Sequence, residues 1–154
     1  MSNLSILHTE SSIGWGGQEL RILTEMEGMA RRGHRVHLVT AHIADILPAA
    51  RQRGLEVTGL PIAYKKLPAL VAMRRWLAHH GREYDVINTH SSTDSWLVAA
   101  AKLSLAGMPP IVRTRHVSTP VNNSATTRWL YGRATAHLVV TGEALKAQLV
   151  RDNG

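Results

Sequence analysis

Leu4-Ser5-Ile6-Leu7, then His8-Thr9-Glu10-Ser11-Ser12-Ile13-Gly14-Trp15-Gly16-Gly17, then Gln18-Glu19-Leu20 opens the chain: a short apolar run, a glycine-bearing loop and the start of a helical pattern. An apolar run too short for a helix reads as a strand buried on both faces. The unit recurs. Runs at Leu4 to Leu7, Val36 to Val39, Leu55 to Leu60, Val86 to Ile87, Ile111 to Val112 and Leu138 to Val140 are each followed by turn chemistry and a helical pattern. Regular alternation of this kind implies right-handed crossovers and parallel strands. The expected fold is α/β: a doubly wound, Rossmann-like sheet with helices on both faces and strand order 3-2-1-4-5-6.

The first helix is predicted from Gly17 or Gln18 to Arg32, with Leu20, Leu23, Met26 and Ala30 on its apolar stripe and Gly33 as its stop. Gly28 in its interior costs about 1 kcal/mol relative to Ala, which suggests close packing there. A second helix covers Leu47 to Arg53 and a third Leu67 to His80, with Pro68 in its first turn, where a missing N–H does no harm. The fourth opens at the capping cluster Ser92 to Asp94 and ends at Gly107, before Pro109 and Pro110. A fifth begins near Ala125 and a sixth near Gly142.

The 154 residues, 44% of them hydrophobic, suit one domain spanning the whole chain. With no Phe, its core has to be built from Leu, Val, Ile, Ala and Met. No Cys is present, which excludes disulfides and thiolate metal sites. The opening residues lack the basic region of a secretory signal, and no run approaches the roughly 18 apolar residues of a membrane span, so a soluble, cytoplasmic chain is expected. The charge of +7, from 18 Lys and Arg against 11 Asp and Glu, favours anionic partners.

Gly14, Gly16 and Gly17 stand just before a helix N-terminus, where bare N–H groups and the helix dipole can meet an anion; the alternative is a plain flexible turn. The dinucleotide fingerprint fails, because Glu19 stands at the third glycine position, the loop from the strand is too long and no acidic residue ends the second strand at Val39-Thr40-Ala41-His42. No Gly-Lys-Ser or Gly-Lys-Thr occurs, which removes the P-loop. His79-His80 and His34 with His37 lack the spacing of a metal site. A Gly-x-Ser-x-Gly elbow is also missing.

Gly16-Gly17-Gln18-Glu19, a helix, and then Arg32-Gly33-His34-Arg35-Val36-His37-Leu38-Val39-Thr40 resemble the opening of family 4 glycosyltransferases. Tyr84-Asp85-Val86-Ile87-Asn88-Thr89-His90 resembles that family's Asp-Val-Ile-x-x-His strand, and Pro110-Ile111-Val112-Arg113-Thr114-Arg115-His116 its Pro-x-Val-x-Thr-x-His strand. Ala136 to Lys146 is similar to the strand and helix that close the family's first domain. The resemblance covers the whole chain in order. It implies the N-terminal, acceptor-side half of a two-domain GT-B enzyme, with a C-terminal donor-binding domain that this chain lacks. The implied reaction moves a sugar from a nucleotide-sugar donor to an acceptor hydroxyl with retention, without metal or cofactor, the nucleotide-sugar being a substrate. An isolated half is expected to fold yet be inactive.

In strand order 3-2-1-4-5-6 the loops after the first and fourth strands flank the ligand crevice, which brings the glycine loop and His90 together. His116 and Thr141 end the next two strands on the same rim. By resemblance, His116 is the candidate catalytic residue, touching sugar hydroxyls, and the backbone of Gly16 and Gly17 approaches the donor diphosphate. Arg113 and Arg115 share one face of a strand; Arg115, nearer the rim, is read either as a phosphate contact or as an ion pair with a loop carboxylate. Ser118 and Thr119 lie in a polar loop that either orders around an acceptor or is a solvated turn. Asn122-Asn123-Ser124 matches a glycosylation sequon, which is discounted without secretory features.

Lys65-Lys66 through Arg82 is basic and amphipathic, carrying Arg74, Arg75, His79, His80 and Arg82. It is read either as a solvated helix face or as a contact with an anionic membrane that holds a glycan or lipid-linked acceptor of cell-envelope synthesis. Nucleic acid is not expected, for want of interleaved aromatics or a motif. The rival reading is a non-catalytic Rossmann-like module for a phosphorylated ligand or nucleic acid. A nucleotide-sugar epimerase shares the two-domain plan.

Overall fold

The structure, a computed structural model, describes residues 3–115 and 125–140. Its elements run β1 Ser5–Glu10, α1 Gly17–Arg31, β2 Arg35–Ala41, α2 Ile46–Gln52, β3 Glu56–Leu60, α3 Leu67–His80, β4 Val86–Thr89, α4 Ser92–Leu103, β5 Ile111–Arg115, α5 Ala125–Trp129 and β6 His137–Val140. A 3-10 turn, Gly81–Glu83, follows α3, and a π-helical turn, Leu130–Ala134, continues α5. The expected sixth helix near Gly142 lies outside the described residues.

The six strands form one parallel sheet in the order β3-β2-β1-β4-β5-β6. This is the predicted α/β doubly wound order, with the strand sequence reversing between β1 and β4. Right-handed crossovers place α1 and α2 on one face and α3, α4 and α5 on the other, where α3 packs along α4. Leu7, Leu38, Val39, Ile87 and Ile111 fill the strands, while Ile22, Leu23 and Met26 of α1 and Met73 and Leu77 of α3 seal them, all fully buried or nearly so.

Three expectations need correction. Leu20 does not join the buried stripe of α1; it is 47% exposed and lines a cleft, and Ile22 takes the inner position. Gly28 is not closely packed, since a Cβ there would meet only the end of the Arg31 side chain, at 3.9 Å. Helix α4 stops at Leu103 rather than Gly107, because Gly107 adopts φ +74 in the turn that leads to β5.

The apolar run Leu4 to Leu7 also understates β1. The strand continues through His8, Thr9 and Glu10, which pair with Leu38, Val39 and Thr40 of β2. These residues look like loop in sequence because they are polar, yet all are buried at the sheet's C-terminal end.

Candidate functional site

The C-terminal ends of β1 and β4 lie side by side, Thr9 opposite Thr89, and the loops that follow lead into the N-termini of α1 and α4. Asp94 occupies the third position of α4. It accepts the N–H of Ser91 at 2.9 Å, closing a capping box on Ser91, so the cap lies one residue before the predicted Ser92. The same carboxylate accepts the N–H of His90 at 3.1 Å, the Thr9 hydroxyl at 2.5 Å and the Ser11 hydroxyl at 3.1 Å. Asp94 is thus a helix cap that also holds the end of β1 against the end of β4. Its burial raises its proton affinity, while nearby Arg113 and the hydrogen bonds act in the opposite sense.

Glu10 lies above this carboxylate and is wholly buried. It accepts hydrogen bonds from the Ser91 hydroxyl, from the Gln18 side-chain amide and from the Ser12 N–H. The Gln18 amide also reaches Ser91 Oγ at 2.8 Å. Burial first, and the negative charge of Asp94 second, push Glu10 from the ordinary 4.5 up to about 7. Two carboxylates buried together are costly, and such groups cluster at functional sites.

His8 and His90 form the third part of the site, both 1% exposed. Their rings stack at 5.2 Å, with His8 Nδ1 2.9 Å from His90 Nε2. Burial lowers His8 to about 4, so it is neutral at physiological pH. His8 Nε2 is buried with no hydrogen-bond partner. An unpaired acceptor is tolerated better than an unpaired N–H, which assigns the proton to Nδ1 and makes His8 the donor to His90.

Gly14, Gly16 and Gly17 lie just outside this network. None has positive φ, and a Cβ would meet nothing within 4 Å at Gly14 or Gly17 and only Glu19 Oε2, at 3.6 Å, at Gly16. Neither backbone conformation nor packing within the described residues calls for glycine there. Gly17 also borders a cleft of about 660 Å³, lined by Leu20, Arg21 and Glu25 of α1 and by Asn88, Thr114 and Val139 of the sheet. That volume is in the range of ligand sites.

Of the sequence-predicted residues, Gly16, Gly17 and His90 are brought to one rim. Arg115 is buried, and its Nη1 donates to Tyr131 Oη at 3.1 Å. His116, Ser118, Thr119 and Thr141, together with the sequon, lie outside the described residues. Sequence reasoning missed His8, Glu10, Gln18 and Ser91, and saw Asp94 only within a capping cluster. The available signal was three consecutive polar residues, His8-Thr9-Glu10, directly after the apolar run of the central strand. Among the described residues no group of three His, Cys, Asp or Glu side chains is arranged to hold a metal ion, and no helix is long and apolar enough to cross a membrane.

Residues 15–154 match the family model described as Glycosyltransferase Family 4. No curated protein matches the chain. Among solved structures, Anabaena Alr3699/HepE in complex with UDP-glucose is similar over 99% of this chain and 41% of its own, with TM-score 0.75 and 17% identity. A glycosyltransferase from Rickettsia africae is similar over 99% and 40%, with TM-score 0.76 and 11% identity. Acinetobacter baumannii MurG is similar over 90% and 41%, with TM-score 0.66 and 12% identity. At these identities the likeness establishes the fold, which is that of one GT-B half. The chain spans about two-fifths of the length of the structures it matches.

Proposed function

Given that the chain belongs to Glycosyltransferase Family 4, we propose that it forms the N-terminal, acceptor-side domain of an enzyme that transfers a sugar from a nucleotide-sugar donor to an acceptor hydroxyl. The observation that carries this reading is the glycine loop. Among the described residues nothing requires Gly14, Gly16 and Gly17 to be glycine, yet they stand at the N-terminus of a 15-residue helix beside the point of strand reversal. The room at the Cβ positions of Gly14 and Gly17 among the described residues, and the N–H groups and positive dipole end at a helix N-terminus, suit a diphosphate. UDP-glucose bound to the Anabaena neighbour supports a nucleotide-sugar as the donor class.

In this reading the donor lies across the glycine loop and rests mainly on a second domain. His116 touches the reacting sugar. Ser118, Thr119 and Thr141 line the same rim, and Arg115 backs it. The single-domain span 1–154, a cytoplasmic setting and a glycan or lipid-linked acceptor of cell-envelope polysaccharide or lipopolysaccharide synthesis belong to the same proposal. The isolated chain is inactive in it, because positioning of donor against acceptor contributes about 7 to 11 kcal/mol of barrier lowering and half a cleft cannot supply that.

The test is calorimetric titration with several nucleotide-sugars beside a transfer assay, on this chain and on the protein that carries both halves. The two-domain protein is expected to bind and turn over, and His116→Ala to abolish most turnover without unfolding it. Multiple turnovers by residues 1–154 alone contradict the half-site reading, and an unaltered rate in His116→Ala removes its catalytic role.

A membrane contact is favoured at the N-terminal end of α3. Tyr64, Leu67 and Val71 are exposed there beside Lys65 and Lys66, whereas Arg82 is engaged with the Ala78 and Ala106 carbonyls and Arg74 with the Ser104 hydroxyl. Binding to vesicles containing phosphatidylglycerol but not to phosphatidylcholine alone, weakening as salt shortens the Debye length, is the expected result. Equal binding to both vesicles excludes the charge-driven contact.

A further inference from the structure

We propose that Glu10 is the positioning residue of the glycine loop, its carboxylate tying Gln18 at the start of α1 to Ser91 at the start of α4. The tie itself is geometry; that the loop it holds receives a donor diphosphate rests on the proposed function.

Glu10 has no exposed surface, so it acts through others. It is wholly buried, and among the described residues no cation lies within 4.0 Å of it. Three donors from three places converge on its two oxygens: Ser12 of the loop, Gln18 of the helix that follows the loop, and Ser91 of the neighbouring βα junction. Between Ser12 and Gln18 lie the glycines, so the carboxylate anchors both ends of the loop at once. A glutamine at this position would turn an NH2 group toward one of these partners, and the Ser91 hydroxyl or the Gln18 amide would have to turn to accept from it. Only the ionised carboxylate, an acceptor alone, takes all three donors without such a turn.

The surroundings make that ionisation conditional. Asp94 faces Glu10 from α4 and, with burial, favours its protonated form, while the three hydrogen bonds favour the carboxylate. Arg113 of β5 acts on Asp94. His8 precedes Glu10 on the same face of β1, His90 precedes Ser91 after β4, and Glu19 follows Gln18; His8 is neutral near pH 7. Ionised Glu10 holds all three donors. Protonated Glu10 carries a hydrogen of its own, so the Ser91 hydroxyl or the Gln18 amide has to turn to accept it and the tie is rearranged, while Gln18 still reaches Ser91 directly.

Trp15 reports directly on the loop, since it stands between Gly14 and Gly16 and is 49% exposed. The protein is labelled with 5-fluorotryptophan, which gives four fluorine resonances, one of them assigned by its loss in Trp15→Phe. The Trp15 resonance is expected to move with pH, with a midpoint near neutrality, and to stay fixed in Glu10→Gln while the other three and the circular dichroism are unchanged. Gln18→Ala cuts the same tie while keeping Glu10, whose proton affinity rises further for want of that hydrogen bond, and is expected to suppress the movement too, so the test stands even if Glu10→Gln does not fold. A Trp15 resonance that does not titrate between about pH 5.5 and 8.5, or titrates equally in both variants, overturns the proposal.

In the protein carrying both halves, the KM for UDP-glucose is expected to be about tenfold higher near pH 6 than near pH 8 with kcat little changed, the scale of one charge-assisted hydrogen bond. Gln18→Ala flattens that difference. A titrating Trp15 in a protein that ignores UDP-glucose upholds the tie and counts against that donor. A pH-dependent KM with a silent Trp15 upholds the donor and sinks the tie.

Discussion

The two ends of the sheet treat the same residue types in opposite ways. At the N-terminal end, carboxylates are exposed and paired. Arg35 meets Glu56 and Glu83, each at 3.4 Å, and His80 meets Glu83 at 3.2 Å. Hydrogen bonds from His80 and Arg35 lower Glu83 below the usual carboxylate range. The glycines of the turns at this end have local reasons, since Gly33, Gly54 and Gly107 all adopt positive φ. At the C-terminal end, Glu10 and Asp94 are buried, burial raises both, and Gly14, Gly16 and Gly17 answer to no local need among the described residues. One end is arranged for folding. The other carries desolvated charge and open backbone that folding alone does not ask for, and such departures concentrate at functional sites.

If that contrast is sound, damage at the C-terminal end is severe where the network is structural. Asp94→Ala strands two hydroxyls and two backbone N–H groups and removes the cap of α4. A loss of about 4 kcal/mol is expected from urea unfolding. Stability within 1 kcal/mol of the native chain contradicts the role given to Asp94.

Glu10→Gln sharpens the contrast through pH. A group whose folded pKa is raised contributes stability that is complete below its unfolded value and lost as pH rises through the folded one, here from 4.5 to about 7. The native chain therefore loses stability over that window on account of Glu10, and the variant does not. His8, lowered to about 4, acts with the opposite sign over pH 6.5 to 4, but cancels in the difference between the two proteins. That difference is expected to grow in favour of Glu10→Gln by about 2 to 3 kcal/mol between pH 5 and pH 8, at ~1.4 kcal/mol per pKa unit. Parallel pH profiles place the shifted proton elsewhere. Greater stability with weaker donor binding is the pairing expected where a charge is kept for function.

Glu56→Gln at the other end removes a half-exposed partner of Arg35, and thermal unfolding at moderate salt should change by at most about 0.5 kcal/mol. A larger loss would make the N-terminal end as dependent on charge as the C-terminal one.

Most of the scaffold is legible in the chain itself. The parallel α/β sheet follows from six apolar runs alternating with helical patterns, and the first-turn Pro68 with the glycines Gly33 and Gly54 fixes helix ends within about a residue or two. The site is less legible, for two physical reasons. Its key contacts join residues more than 70 positions apart, as in Glu10 with Ser91 and Gln18 with Ser91, and only the β1–β4 adjacency brings them together. Its residues also imitate other things: Thr9 and Glu10 pass for loop, and Asp94 for an ordinary cap. The π-helical turn after α5 gives no comparable signal in Leu130-Tyr131-Gly132-Arg133-Ala134.

The central claim is that the glycine loop is open because a donor diphosphate fills the space, and donor kinetics of Gly17→Val in the two-domain protein test it most directly. Among the described residues a Cβ at Gly17 meets nothing within 4 Å, so the variant should fold as the native protein does. Its kcat/KM for the nucleotide-sugar should fall by about a hundredfold, the scale of a misplacement of about 1 Å at a reacting centre. Unchanged donor affinity and unchanged turnover would contradict the account.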